Sequence, residues 1–143
     1  VSGGNLDMKE DIVLRWTKKA ENDLKVVEYL IEVKDAPADM LCFHCQQAVE
    51  KYLKAYLTWV GVRVRKIHDL ETILNLCIKK DKKFENLERD RISELTIYAT
   101  GIRYPEESIE STTEEVREFY KTAKVVKDFV IKRLRESGLK ELK

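Results

Sequence analysis

The stretch CFHCQQAVEKYLKAYL, residues 42–57, decides the fold. Its first four letters hold two cysteines around a histidine, and the rest places apolar residues three and four apart, as an amphipathic helix requires. Leu41, Cys45, Ala48, Tyr52, Ala55 and Trp59 form one stripe, and Val49, Tyr56 and Val60 widen it. Cys45 continues that stripe, where cysteine behaves as a small hydrophobe. A structural zinc site usually needs four ligands, and Cys42 with Cys45 has no second pair to match it. The other candidates, His44, His68 and Cys77, fall elsewhere in the helical pattern. A thioredoxin-like role would need the pair at a helix start after a strand, and no strand pattern precedes it. Core or boundary packing is the reading for these cysteines, ahead of a metal or redox site.

Outward from this helix the same spacing recurs. Val13, Trp16, Ala20, Leu24, Val27 and Ile31 make a stripe before it, and Val116, Tyr120, Ala123, Val126, Val130 and Leu134 make one near the end. The last helix should start at the capping pair Ser111 and Glu114 and stop near Gly138. Two shorter helices fit between: one capped by Asp69, carrying Leu70, Ile73, Leu74 and Cys77, and one from Leu87 to Ala99 after the charged turn KKDKKFEN. Pro37, Gly61, Gly101, Pro105 and Gly138 punctuate the segments, since both residue types are costly inside helices. The expected fold is all-α, an antiparallel bundle of about five helices. One domain is expected over residues 8–137, with 1–7 a cloning remnant or floppy tail and 138–143 a C-terminal tail.

Composition narrows the function classes. Charged residues make up 37% of the chain, yet 27 Lys and Arg nearly cancel 26 Asp and Glu. No global field drives the protein onto nucleic acid or membrane, so such binding needs a local patch. No apolar run approaches the ~20 residues of a membrane span, and no signal-peptide core is legible, which predicts a cytoplasmic protein without a membrane partner. No cofactor motif is present.

Two local patches stand out. Gln47, Lys51, Lys54 and Thr58 follow spacings of four, three and four, a polar, cationic stripe predicted to lie opposite the core. Just past that helix come Arg63, Arg65, Lys66 and His68, so side chains from both could meet one phosphate. A bland account covers each patch. Lys51 and Lys54 can be solvated surface charges, with Glu50 pairing to Lys54 one turn on. The basic loop can be only solvation, with His68 bonding backbone at a turn. Tyr104 before Pro105 is held extended and can pack across the bundle, while Arg103 caps carbonyls. Tyr52, Tyr56, Trp59, Leu53 and Leu57 make the second helix apolar over more than one face, so it is either central or covered by a second copy.

Three pieces in order, QQAVEKYLKAYL, HDL and IRYP, resemble the HEPN domain (higher eukaryotes and prokaryotes nucleotide-binding). The resemblance spans Met8 to about Leu134, and AENDLKVVEYLIE in the first helix suits it. Many members are similar to ribonucleases that use Arg, four to six residues, then His, paired across a dimer. Arg63 and His68 satisfy that spacing, and Arg103 stands where the family usually places the motif. Ser108, Ile109 and Glu110 fill the places for a histidine after Arg103. Other members resemble small helical dimers encoded beside a minimal nucleotidyltransferase, in a toxin-antitoxin-like pair. The resemblance therefore implies a nucleotide- or RNA-phosphate-binding homodimer contacting its ligand through Gln47, Lys51, Lys54, Arg65, Lys66 and Tyr104. A metal-independent endoribonuclease using His68 with Arg63 or Arg103 is the alternative. A helical docking module without ligand is the third reading.

Overall fold

Each long apolar stripe becomes a helix in the computed structural model, which describes residues 2–100, 110–140 and 142, with side chains from Met8 onward. Five α-helices follow in order: α1 (Ser2–Leu30), α2 (Ala38–Trp59), α3 (Leu70–Lys80), α4 (Arg89–Glu94) and α5 (Thr113–Glu136). There is no strand among the described residues. α1 begins inside the stretch expected to be a tail, and Val13 is the first fully buried residue among its described side chains.

α2 is the central element. It packs against α1, α3 and α5, and Leu41, Cys45, Ala48, Val49, Tyr52, Leu53, Ala55, Tyr56 and Leu57 are all buried. Its apolar excess on two faces is thus used within the chain, and the surface that invited a second copy is already covered. Cys42, Cys45 and Cys77 are free thiols at zero exposure. Burial pushes Cys42 up to about 11, and raises Cys45 and Cys77 further, so all three stay protonated and pack as hydrophobes.

Helix ends follow local chemistry. Asp69 caps α3 as expected, its carboxylate accepting from the Thr72 N–H at 3.1 Å. The α5 cap is Thr112, one residue beyond the expected Ser111, in a reciprocal capping box with Glu115. Ser111 is engaged elsewhere, 2.6 Å from the Tyr98 hydroxyl. The expected helix Leu87–Ala99 is split into α4 and a 3₁₀ turn, Leu95–Tyr98. The charged turn is a second 3₁₀ segment, Lys82–Asn86, whose Phe84 is fully buried between Tyr56 and Phe129. Gly138, at φ +109°, turns the chain after α5, and Leu139 beyond it returns to the core at zero exposure. The segment expected as a tail therefore contributes packing.

Polar contacts seam the long helices. On one side Lys127 pairs with Glu21 at 2.6 Å while the Tyr52 hydroxyl donates to the same carboxylate. Partial burial works against the Glu21 charge, but these donors win and hold its carboxyl below the usual range. On the other side Arg117 reaches Glu32, and Arg133 ties α5 to Asp81.

Candidate functional site

α2 stops at a left-handed glycine. Gly61 adopts φ +85°, its N–H donates to the Thr58 carbonyl, and the Val62 N–H donates to the Leu57 carbonyl at 2.8 Å. These two bonds form a Schellman turn, which satisfies the last carbonyls of α2 and sends the chain back along the bundle. The loop then alternates. Val64 is buried, while Arg63 and Arg65 on either side of it are exposed, as are Lys66 and His68. One apolar residue thus pins the loop and aims two guanidinium groups outward.

A buried carboxylate holds the far end. Glu50 accepts from the Gln46 amide, from Lys54 Nζ and from His68 Nδ1, each at 2.9 Å. Lys54 and His68 share one carboxylate oxygen, and Lys54 Nζ also reaches the Arg65 carbonyl at 3.5 Å. A carboxylate only accepts, so the His68 Nδ1 must carry the hydrogen, and Nε2 is the ring's outward nitrogen. His68 is 59% exposed at its side chain, so that nitrogen is accessible.

This geometry corrects the predicted stripe on α2. Lys54 is 1% exposed and paired within the fold, so it faces the interior and is no free surface cation. Lys51 donates to Asp23 on α1 at 2.6 Å, and the Gln47 amide donates to Gln46. The physical reason is that α2 is central and its polar stripe is at most half-exposed. Its polar stripe lies against α1, where each ammonium needs a carboxylate to offset the loss of water. Asp23 also holds His44 through Nδ1 at 2.8 Å, so that histidine is spent on a structural bond. The Gln-Gln and Glu-Lys letters of this helix spell an internal hydrogen-bond network.

The loop's cations gather with others that the sequence reading passed over. A cavity of about 730 Å³ opens where α1 faces the loop, lined by Arg15, Trp16, Lys19, Thr58, Arg63 and Arg65. Arg15 pairs with exposed Asp11 at 2.9 Å; Lys19, Arg63 and Arg65 make no ion pair with any described residue. Four cations with one exposed counter-charge make a local positive field inside a chain of net charge +1. The signal was present in the sequence. Ile12, Arg15 and Lys19 lie at helical spacings of three and four, and Lys19 is one turn beyond Trp16, so the indole had cations beside its own stripe. Arg103 and Tyr104 lie outside the described residues. Among those described, no cluster of three His, Cys, Asp or Glu is arranged to hold a metal.

The buried Glu50–Lys54 pair thus lies beneath a histidine and beside a loop rich in cations. The HEPN domain model matches residues 13–134, and the chain belongs to the HEPN family. The match takes in α2, the loop and most of α5, so the network around Glu50 sits inside the family's own span. Neither a curated protein nor a solved structure matches the chain.

Proposed function

We propose that the protein binds the phosphates of a nucleotide or of RNA on the loop Val62–His68, with Arg63, Arg65 and Lys66 as the contacts. The observation that supports this most is the cavity in which Arg63 and Arg65 meet Arg15 and Lys19 with one exposed carboxylate among them. A guanidinium offers a phosphate two parallel donors, and neither the Arg63 nor the Arg65 guanidinium has a partner among the described residues to give up. In this reading Lys54 is the loop's buried anchor, through Glu50 and the Arg65 carbonyl, and not a ligand contact. The family resemblance adds Arg103 and Tyr104 as contacts. It also adds a homodimeric, cytoplasmic setting and a minimal nucleotidyltransferase as partner, in a toxin-antitoxin-like pair. Among the described residues no helix is long and apolar enough to cross a membrane.

A second reading, metal-independent RNA cleavage, has its own observation. Glu50 orients His68 so that Nε2 faces solvent, five residues after Arg63. An imidazole held this way can take a proton from a ribose 2′-hydroxyl while a guanidinium steadies charge on the phosphate.

One experiment tests both readings: fluorescence anisotropy with a labelled single-stranded RNA, over a salt series, followed by gel analysis of the same mixtures. Binding should weaken linearly in log–log salt. The R63E/R65E variant should lose at least about 100-fold in affinity, because each charge-assisted bond contributes roughly 1.5–3 kcal/mol. Equal binding by that variant rules the loop out as the contact surface and leaves a docking module. If the RNA is cut without metal, H68A should slow cutting by about 10²–10⁴. Cutting at an unchanged rate would remove His68 from the chemistry.

A further inference from the structure

The cavity beside the loop is only partly cationic. Trp16 supplies an aromatic wall, Ile12 and Val62 flank it with apolar surface, and Lys19, Arg63 and Arg65 supply charge. The buried Lys54 ammonium lies 5.8 Å from the centre of the Trp16 ring. Trp16 itself is half-buried and lines the cavity. The indole N–H has no hydrogen-bond partner among the described residues. A volume of about 730 Å³ lies inside the range of roughly 300–1,000 Å³ typical of small-molecule sites.

This combination discriminates among anions. Inorganic phosphate would use the cations and leave the aromatic wall idle. A nucleic-acid duplex presents phosphates outward and keeps its bases stacked inside, so it could not reach a concave wall. A ligand that joins a flat π-surface to a phosphate within one nucleotide's reach uses both halves.

We propose that Trp16 seats the base of a single unpaired nucleotide unit whose phosphate is held by Lys19, Arg63 and Arg65. The proposal rests on the phosphate-binding reading above and adds to it the base contact, the contribution of α1 and the exclusion of duplex. The unit can come from a free nucleotide or from a single strand, since both offer the same base and phosphate.

Trp16 and Trp59 are the two tryptophans of the chain, and Trp59 is set apart by its indole bond to the Ser137 carbonyl at 3.3 Å. The W59F variant therefore leaves Trp16 as the sole indole reporter, without touching the cavity. ATP, tripolyphosphate, a single-stranded octauridylate and an RNA duplex of the same length are titrated against it. ATP or the octauridylate should quench Trp16 emission, with the active member of the pair identifying the source. Tripolyphosphate should bind at least about tenfold more weakly than ATP and without quenching, the loss expected when base stacking is absent. In the otherwise native chain, W16L should bring ATP affinity down to the tripolyphosphate level, and W16F should restore part of it. The base seat is overturned if ATP and tripolyphosphate bind equally without quenching while R63E/R65E abolishes both, a result that leaves phosphate binding standing. It is likewise overturned if the duplex binds as well as the single strand. If none of the four probes binds, the base seat and the phosphate site fall together.

Discussion

Glu50→Ala lowers the free energy of unfolding by about 3–5 kcal/mol, the cost of leaving a buried charge without its counter-ion. Lys54 is almost wholly enclosed, with its ammonium on Glu50 at 2.9 Å, so removal of the carboxylate strands it beside Trp16 and the Arg65 carbonyl. Gln46, at zero exposure, loses its acceptor as well. Urea unfolding followed by circular dichroism measures the effect. The double variant E50A/K54M separates the cause, because it removes both charges and keeps an unbranched apolar stem; it should recover most of the loss. If E50A alone unfolds within about 1 kcal/mol of the native chain, the pair is not the anchor described here.

Phe84→Ala costs about 3–5 kcal/mol by the same measurement, the range for truncating a fully buried aromatic. Phe84 stands 4.6 Å from the Tyr56 ring and 4.9 Å from the Phe129 ring, centre to centre, so it joins α2 to α5 through a five-residue 3₁₀ segment. F84L should recover about half of the loss by refilling volume without the ring contacts. A change in F84A below about 1 kcal/mol would mean that the segment is a detachable turn.

That segment shows where sequence reading works and where it stops. KKDKKFEN is dense in charge and reads as a solvated turn; a single phenylalanine has no periodicity, so nothing local marks it as a tertiary clamp. The long helices were legible because their stripes repeat over five or more turns. The α5 cap missed by one residue because Ser111 and Thr112 each have a glutamate three residues on, and only the distant Tyr98 hydroxyl breaks the tie. The basic loop and His68 were legible as letters. Their support was not, because polar groups on a central helix can be turned inward as readily as outward, and spacing alone does not say which. Lys54 illustrates this: spacing placed it with Gln47 and Lys51, but whether that stripe met water or α1 depended on how α2 docked. The cations of α1 were hidden for the opposite reason, since Trp16 was counted with the core and its exposed neighbours were given no role.

The loop's two ends are fixed by independent devices, the left-handed Gly61 turn and the Asp69 cap, with Val64 inserted between them. Seven residues bridge those clamps, and ahead of the turn at Arg65 and Lys66 the buried Val64 stands between two exposed arginines. Deleting Val62 would swap the occupants there, bringing an arginine to the buried place of Val64. Spacing is thus the heritable signal here, and other chains built this way should vary their letters between the clamps more freely than their number.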